Sequence, residues 1–283
     1  MSNKKIGILI SVNLDSALTH DLFSRVLDSF KTYCEQSGYI LSFINTTTKF
    51  LAKHPIVEQV ADEEMAGVFI ATGNYDLPEI KQLLESDTPT VTIDYKSPKS
   101  ISVSSDNEMG IKELVKYVIE ERHHKRLAFI SGDAESPVSQ LRLKKFLATA
   151  EEFGVTIPRE YICESRFRDM RLVARRTEEL LNLELAPTCI FFPDDFSAIG
   201  GINVIHNRGL DVPKDISFCG YDGVNLVSFL DPQICTVVQD TESMGVTAAK
   251  ELIKLMEEGR PGDGSEIIIP IKIQHGHTVS LLH

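Results

Sequence analysis

The fold is decided by residues 186–222, which read APTCIFFPDDFSAIGGINVIHNRGLDVPKDISFCGYD. The apolar run Thr188–Phe192 is typical of a buried strand, and Asp195–Asn207 is expected to form a helix that stops at Gly209. The next apolar run, Ile216–Cys219, predicts another strand. Because strand, helix and strand follow one another with short connections, this stretch indicates a parallel β-α-β unit.

The same alternation extends on both sides of that stretch. Before residue 107 we expect strands at Lys5–Ser11, Ile40–Ile44, Ala66–Ala71 and Thr90–Ile93, and helices at Leu18–Gln36, Ile56–Glu64 and Leu77–Glu85. From residue 108 to 183 we expect helices at Glu108–Glu121, Pro137–Phe153 and Asp169–Leu183, and strands at Arg126–Ser131 and Tyr161–Cys163. The remaining elements are strand Cys235–Val238, helix Thr241–Glu258, and strands Glu266–Ile273 and Thr278–Leu282. Two α/β lobes are therefore predicted, with chain crossings near Ser105–Asn107 and Gln239–Asp240.

Composition excludes several classes of protein. The chain has 283 residues, 42% hydrophobic and 25% charged, which is typical of a globular protein and not of a disordered chain, a collagen-like repeat or a disulfide scaffold. Lys and Arg number 29 against 41 Asp and Glu, for a net charge of -12. Because a surface that binds duplex DNA needs a basic patch, this balance argues against nucleic acid as the main partner of this segment.

The five cysteines and the amino terminus indicate the compartment. The cysteines are scattered, odd in number and without a Cys-x-x-Cys pair, so we expect buried free thiols in a reducing environment. The first apolar run is only about six residues long, too short for a signal peptide, and no run of about 20 apolar residues could span a membrane. A cytoplasmic protein without membrane contact is expected.

The motifs of common enzymes and cofactor sites are missing from the sequence. It contains no Walker A loop, no Gly-x-Gly-x-x-Gly after the first strand and no Gly-x-Ser-x-Gly elbow. His123–His124 and His275–His277 come without further ligands at the spacing of a known metal site. We therefore expect no enzyme, no catalytic residue, no metal and no cofactor.

Polar side chains follow the predicted strands, where open α/β sheets bind their ligands. They are Asp94, Asp194, Tyr221 with Asp222, and Gln239, joined by Arg142 in the first turns of the helix after strand Arg126–Ser131. Aromatic rings that could cover a ligand are Phe23, Tyr95, Phe167 and Tyr221. Carboxylates accept from neighbouring hydroxyls and Arg donates in a planar fork, so the set suits a small polyhydroxylated ligand.

Some of these residues also have a purely structural reading. Asp195 is placed equally well as a helix N-cap or as a ligand contact, and Asp106 as the cap of the helix that starts at Asn107. Phe23 fits the apolar stripe of its helix as well as a ligand site. These alternatives stay open at the level of sequence.

Five segments resemble the LacI/GalR family of transcriptional repressors, in the same order and over nearly the whole chain. They are residues 105–110 (SDNEMG), 121–132 (ERHHKRLAFISG), 187–200 (PTCIFFPDDFSAIG), 209–222 (GLDVPKDISFCGYD) and 236–240 (TVVQD). The resemblance implies the type I periplasmic-binding-protein fold: two similar doubly wound parallel-sheet lobes joined by three crossovers, with an effector in the cleft. The lobes would comprise residues 4–106 with 240–268, and 107–239 with 269–283.

The family's effector contacts fall on particular residues of this chain. By resemblance they are Arg142, Asp222, Phe167, Asp194, Asp94 and Gln239, to which the residue pattern adds Phe23 and Tyr221. The chain departs from the family at His20–Phe23, at Asp194 in place of Asn and at Lys145 in place of Gly. The additional carboxylate would favour amino, basic or richly hydroxylated effectors over a common neutral hexose.

Partners follow from the same resemblance. We expect a small-molecule effector, sugar-like ahead of a purine, and a homodimer formed through the first lobe. Effector binding would alter operator DNA binding by an N-terminal helix-turn-helix, a unit of about 60 residues that is missing before the first strand. The alternative is a sugar-binding protein of an ABC transporter, which has the same fold.

Overall fold

The computed structural model describes residues 4–10, 20–225, 229 and 231–282. Ser11 and Leu18, the predicted bounds of the first strand and the first helix, lie outside these residues. The chain forms two compact units, Met1–Ser105 with Asp240–Pro270, and Asp106–Gln239 with Ile271–His283. Each unit contains its own six-stranded sheet.

The first unit alternates strands and helices. Its strands are β1 (Lys5–Ile10), β2 (Ile40–Phe43), β3 (Gly67–Thr72), β4 (Thr90–Ile93), β5 (Ile101–Ser105) and β11 (Glu266–Ile269). Its helices are α1 (Asp21–Gln36), α2 (Thr48–Leu51), α3 (Ile56–Asp62), α4 (Pro78–Glu85) and α9 (Thr241–Glu258). The strand order is β11-β5-β4-β3-β1-β2, and the pairs are parallel.

Helices cover both faces of this first sheet. On one face, Val26 and Phe30 of α1 pack with Ala248 and Leu252 of α9 in a buried core. On the other face, α2, α3 and α4 bury residues that include Leu51, Ile56, Ile80 and Leu83. Helix α9 approaches α1 closely at Gly245, where an added Cβ would lie 2.3 Å from the Val26 carbonyl oxygen. Only glycine therefore fits at this helix contact.

The second unit repeats the plan with one reversed strand. Its strands are β6 (Leu127–Ser131), β7 (Ile162–Glu164), β8 (Cys189–Phe191), β9 (Ser217–Asp222), β10 (Cys235–Gln239) and β12 (Ile271–His275). Its α-helices are α5 (Asn107–Lys116), α6 (Pro137–Glu152), α7 (Met170–Leu181) and α8 (Asp195–Asn207), and α5 continues as a π-helical turn at Tyr117–Glu121. The strand order is β12-β10-β9-β8-β6-β7, and β12 runs antiparallel to β10.

The core of the second unit also lies on both faces of its sheet. Leu114 and Phe146, from α5 and α6, pack on one face with Phe129 and Phe191. Val173, Leu180 and Ile205, from α7 and α8, pack on the other. Because β6, β8 and β9 are covered on both faces, their residues are buried along the whole strand.

The predicted fold class is confirmed as α/β with two doubly wound sheets, and the chain crosses between the units at three points. Four details of the prediction are wrong. The run Glu266–Ile273 is two strands, because Pro270 separates β11 of the first sheet from β12 of the second. No strand forms at Thr278–Leu282, and β12 makes the second sheet mixed instead of purely parallel. Strand β5 was not predicted at all.

Across the described ranges, every helix is too short or too polar to traverse a lipid bilayer.

Candidate functional site

The chain reverses its direction of winding at one point of the second sheet. From β6 it moves outward to β7, then returns to the other side of β6 to form β8 and β9. In sheets of this kind, ligands bind beyond the carboxyl ends of the strands on either side of that point. The candidate site therefore lies at the segments that follow β6, β7, β8 and β9. These segments contain Gly132, Phe167, Pro193 and Gly223.

Arg142 on helix α6 is the central cation of this edge. Its side chain is 5% exposed, Nε donates to Asn107 Oδ1 at 2.8 Å, and Nη1 donates to the Pro193 carbonyl oxygen at 3.3 Å. The guanidinium carbon lies 3.4 Å from the centre of the Tyr221 ring, a cation–π contact. Nη2 has no hydrogen-bond partner among the described residues. The guanidinium is thus held in place with one nitrogen available to a ligand.

Two aromatic rings flank Arg142. Tyr221 donates its hydroxyl to Asn107 Oδ1 at 3.2 Å, so one amide oxygen orients both the ring and the guanidinium. The Phe167 ring centre lies 5.9 Å from the Arg142 guanidinium carbon. Phe167 packs directly on Gly132, where an added Cβ would be 2.5 Å from the ring. Glycine after β6 therefore makes room for Phe167.

A small cavity lies between these groups. Arg142, Phe167, Tyr221 and Ser139 line it, together with apolar side chains of β6, β8 and α5. It has room for about one water molecule. Ser139 Oγ is buried there with no hydrogen-bond partner in the part of the chain that the structure describes. An unpaired buried hydroxyl is costly, and it is a ready contact for a polar ligand group.

Asp222 and Gln239 form a second polar pair on this edge. Asp222 ends β9 and Gln239 ends β10, and Gln239 Nε2 donates to Asp222 Oδ1 at 2.7 Å. Asp222 has φ 106°, a conformation that costs a non-glycine residue about 1–3 kcal/mol. Gln239 Oε1 is buried without a partner among the described residues. Strain and an unpaired acceptor both mark this pair as more than a packing contact.

Asp194 and Asp195 have different roles, and the interpretation of Asp195 as the N-cap of α8 is wrong, because Asp194 occupies that position. Asp194 caps α8: Oδ1 accepts from the Ser197 amide at 2.7 Å, and Oδ2 accepts from the Ser197 hydroxyl and from the Arg168 amide. Burial raises the pKa of Asp194 above its ordinary value, and these donors oppose the rise. Its carboxylate is therefore occupied by donors of the protein, and its contact with an effector stays a prediction.

The other two predicted residues belong to the first unit. Asp94 follows β4 with φ 53°, and its Oδ1 accepts from the Ser105 amide at 3.3 Å. Phe23 of α1 is half-buried against the α1–α9 core, as its apolar stripe indicates, and its ring centre lies 4.7 Å from that of His20. Effector contacts by Asp94 and Phe23 remain predictions.

Sequence reasoning missed three residues of the candidate site. Asn107 orients Arg142 and Tyr221, although it was considered only as the start of a helix capped by Asp106, a cap that the structure confirms. Gly110, one turn later, allows the Tyr221 hydroxyl to approach, since a Cβ there would be 2.6 Å from it. Both stand in the 105–110 segment, so the signal was present. Ser139 gave no signal.

One of the paired histidines, His124, has a structural explanation. His124 is buried, its Nδ1 lies 2.9 Å from the Thr188 hydroxyl and its Nε2 lies 3.0 Å from the Ser280 carbonyl oxygen. Burial lowers its pKa, with Arg122 and Arg126 acting in the same direction. The described residues hold no group of three or more His, Cys, Asp or Glu side chains arranged for a metal ion.

The strand order, the reversal of winding beside β6 and the polar side chains at the carboxyl ends of the strands together define the class of protein. It is a two-unit α/β binding protein of the type I periplasmic-binding-protein fold. Solved structures agree. A putative transcriptional regulator LacI from Bacillus cereus subsp. cytotoxis NVH 391-98 superposes with a TM-score of 0.89 at 25% identity, covering 99% of this chain and 100% of that one. A LacI family transcriptional regulator from Enterococcus faecium with bound ribose has a TM-score of 0.82 over 99% of this chain and 100% of that one, and at 19% identity it shows the fold alone.

Sequence comparison gives the family. The sequence profile of the periplasmic binding protein-like domain matches residues 116–279, more than half of the chain, so the chain belongs to that family. The HTH-type transcriptional repressor PurR of Vibrio atlanticus (strain LGP32) is 25% identical over 262 residues, which are 91% of this chain and 76% of the repressor. This chain is the effector-binding region of a LacI-type transcriptional regulator.

Proposed function

We propose that this region binds a small polyhydroxylated metabolite, a sugar in the first instance, at the carboxyl edge of the second sheet. The observation that supports it best is Arg142, stacked on Tyr221 and fixed by Asn107 with Nη2 still available. A planar donor beside aromatic rings suits a ligand that offers hydroxyls at its rim and C–H groups on its face.

Asp222 and Gln239 complete the donors and acceptors that such a ligand needs. Asp222 is a strained acceptor already oriented by Gln239, whose Oε1 can accept one further hydrogen bond. The ribose bound to the Enterococcus faecium regulator, a protein of the same fold, is consistent with a pentose as one member of the ligand class. Because a base can also stack on an aromatic ring, purines remain the competing class.

The test is the melting temperature in the presence of D-ribose, cellobiose, sugar phosphates, nucleosides and purine bases. A compound at about a hundred times its dissociation constant stabilises the folded state by roughly 2.7 kcal/mol. That corresponds to several degrees for a chain of this size. We expect a shift from the sugars, and a shift confined to purines would transfer the proposal to that class.

Matched variants locate the site. Arg142→Lys keeps the positive charge but loses the planar guanidinium and its stacking on Tyr221, so we expect most of the ligand-induced shift in melting temperature to disappear. We expect the same of Asp222→Asn. The controls are Arg175→Lys and Asp76→Asn, whose side chains are exposed at 73% and 84%. A ligand-induced shift that persists in both site variants would place the ligand elsewhere.

In the regulator, we propose that effector binding changes the affinity for operator DNA by a population shift between two conformations. The region would act as a homodimer. Sedimentation equilibrium tests the dimer directly, with an expected mass twice the 31.6 kDa of one chain. A single species of monomer mass at micromolar concentration would contradict it.

A further inference from the structure

The carboxyl of Asp195 is an unusual group that the effector site does not use. It is 0% exposed, yet it does not cap its own helix, since Asp194 does so. Its Oδ2 accepts from the Gly223 amide at 2.7 Å and from the Val224 amide at 3.1 Å. Its Oδ1 accepts from the Thr236 hydroxyl at 2.6 Å. All three donors lie outside α8, two after β9 and one in β10.

Two glycines make this arrangement possible. Gly220 in β9 lies directly under the carboxyl group, where an added Cβ would be 2.0 Å from Asp195 Oδ1. Gly223 has φ 67°, and a Cβ there would lie 2.7 Å from the Val238 Cα. The order Gly, Tyr, Asp, Gly at residues 220–223 thus leaves space for the carboxyl group and allows the chain to turn around it.

Asp222 lies between these glycines and immediately before the two amides that Asp195 binds. A residue at φ 106° keeps that conformation only when its surroundings over-determine it. The hydrogen bonds from Gly223 and Val224 to one buried oxygen fix the backbone on the carboxyl side of Asp222. Gln239 fixes its side chain at Oδ1.

We propose that Asp195 is a positioning residue, whose buried carboxyl group holds the 222–224 turn and thereby presents the Asp222 carboxylate at the sheet edge. The part that Asp222 plays toward an effector rests on the proposed function above. The positioning itself does not, and it is tested without any ligand.

The ionisable groups near Asp195 are Asp222 at the end of β9 and Asp194 at the start of α8. Burial, and then the charge of Asp222, raise the pKa of Asp195 well above its ordinary value, whereas the donors Thr236 and Val224 oppose the rise. The Asp195 carboxyl should therefore change its ionisation at a pH above the usual range for Asp, and the amides bound to it should report that change.

The experiment is amide hydrogen exchange and proton NMR on the whole chain. In Asp195→Ala we expect the Gly223 and Val224 amides to exchange at least about tenfold faster, because each loses its buried acceptor. We expect the Gln239 side-chain amide signal to move as Asp222 leaves it. Asp195→Asn keeps an oxygen for the two amides, so it should retain their protection.

The matched control is Asp169→Ala, which removes the N-cap of α7 from the Leu172 amide in the same unit. It should destabilise its helix and leave the Gly223, Val224 and Gln239 signals in place, which separates positioning from general stability. If Asp195→Ala does not fold, the exchange of the Gly223 and Val224 amides in Asp195→Asn decides. Unchanged exchange in Asp195→Ala, or loss of the amide protection in a folded Asp195→Asn, would overturn the proposal.

Discussion

The two sheets share one strand order but differ in what stands at their carboxyl edges. In both, the first strand in sequence lies between the second and the third, and the fourth and fifth follow outward. Strands β4 and β9 therefore occupy equivalent places, and each is followed or ended by an aspartate at positive φ, Asp94 or Asp222. Each aspartate accepts a hydrogen bond from the last residue of the next strand, Ser105 or Gln239.

The difference is in buried charge. Among the described residues, the buried charged side chains are Arg142, Asp194, Asp195 and Asp222, all in the second unit, whereas the first unit buries uncharged polar groups. Buried charges are retained only where partners offset the cost of removing them from water. The shared strand order thus provides two similar edges, and the side chains make the second one the candidate site.

The largest expected loss of folding stability is at Gly220, two residues before Asp222. The equivalent residue of the first unit is Thr92, two residues before Asp94. In Gly220→Ala the new Cβ would collide with the Asp195 carboxyl, which three hydrogen bonds hold in place, so we expect a loss of about 3 kcal/mol. In Thr92→Ala the hydroxyl that donates to the Tyr95 carbonyl oxygen, and at 3.4 Å to the Ile101 carbonyl oxygen, is lost, at about 1 kcal/mol. Urea unfolding of both variants measures the difference. Equal losses would mean that the two edges tolerate change alike.

The next prediction compares the strained aspartates themselves. At a residue with negative φ, a protein with Ala is usually more stable than one with Gly, but at a residue with positive φ the order reverses. We expect Asp222→Gly to be more stable than Asp222→Ala by about 2 kcal/mol, and Asp94→Gly to exceed Asp94→Ala by about 1 kcal/mol, because φ 53° lies in the left-handed helical region that tolerates side chains better than φ 106°. Thermal unfolding of the four variants gives both differences. A preference for Ala at residue 222 would show that the turn relaxes.

The smallest expected effect is a pH dependence that arises in the second unit. Burial lowers the pKa of His124 in the folded state, so the folded protein binds a proton there less readily than the unfolded chain. The contribution of neutral His124 to the free energy of unfolding is therefore fully present above the unfolded pKa of about 6.5 and decreases as the pH falls below that value. Replacing His124 by Gln should remove this part of the pH dependence. Denaturant unfolding of both proteins between pH 7 and pH 5 measures the change. The same change at exposed His54 of the first unit is the control. Identical profiles for the wild type and the His124 variant would contradict the assignment.

Much of the fold could be predicted because its signals are local. Strand Thr90–Ile93 and helices Asp195–Asn207 and Thr241–Glu258 have the predicted bounds. Strand β5 was missed because its sequence, ISVSS, is rich in serine, and its polar side chains are satisfied by partners distant in sequence, as when Ser104 donates to Glu266. A run of five residues with only two apolar side chains, Ile101 and Val103, gives a weak strand signal.

For the candidate site, the sequence indicates which residues stand at strand ends but not what each side chain does there. Strand ends are visible in sequence, and the structure places Arg142, Phe167, Tyr221, Asp222 and Gln239 along one edge as a result. The different roles of Asp194 and Asp195 depend on backbone angles. These angles determine that the Asp194 carboxylate caps α8 and that the Asp195 carboxyl group accepts from the Gly223 amide. Two adjacent aspartates look alike until those angles are known.

The three crossings between the units have a consequence for synthesis on the ribosome. The first unit needs α9 to cover Val26 and Phe30 and needs β11 beside β5, yet residues 241–269 are translated only after the sheet strands β6 to β10 of the second unit. Until then the nascent first unit carries an uncovered apolar helix face and an open sheet edge, the features that attract chaperones and misfolded neighbours. The last translated quarter of the chain therefore completes its first domain.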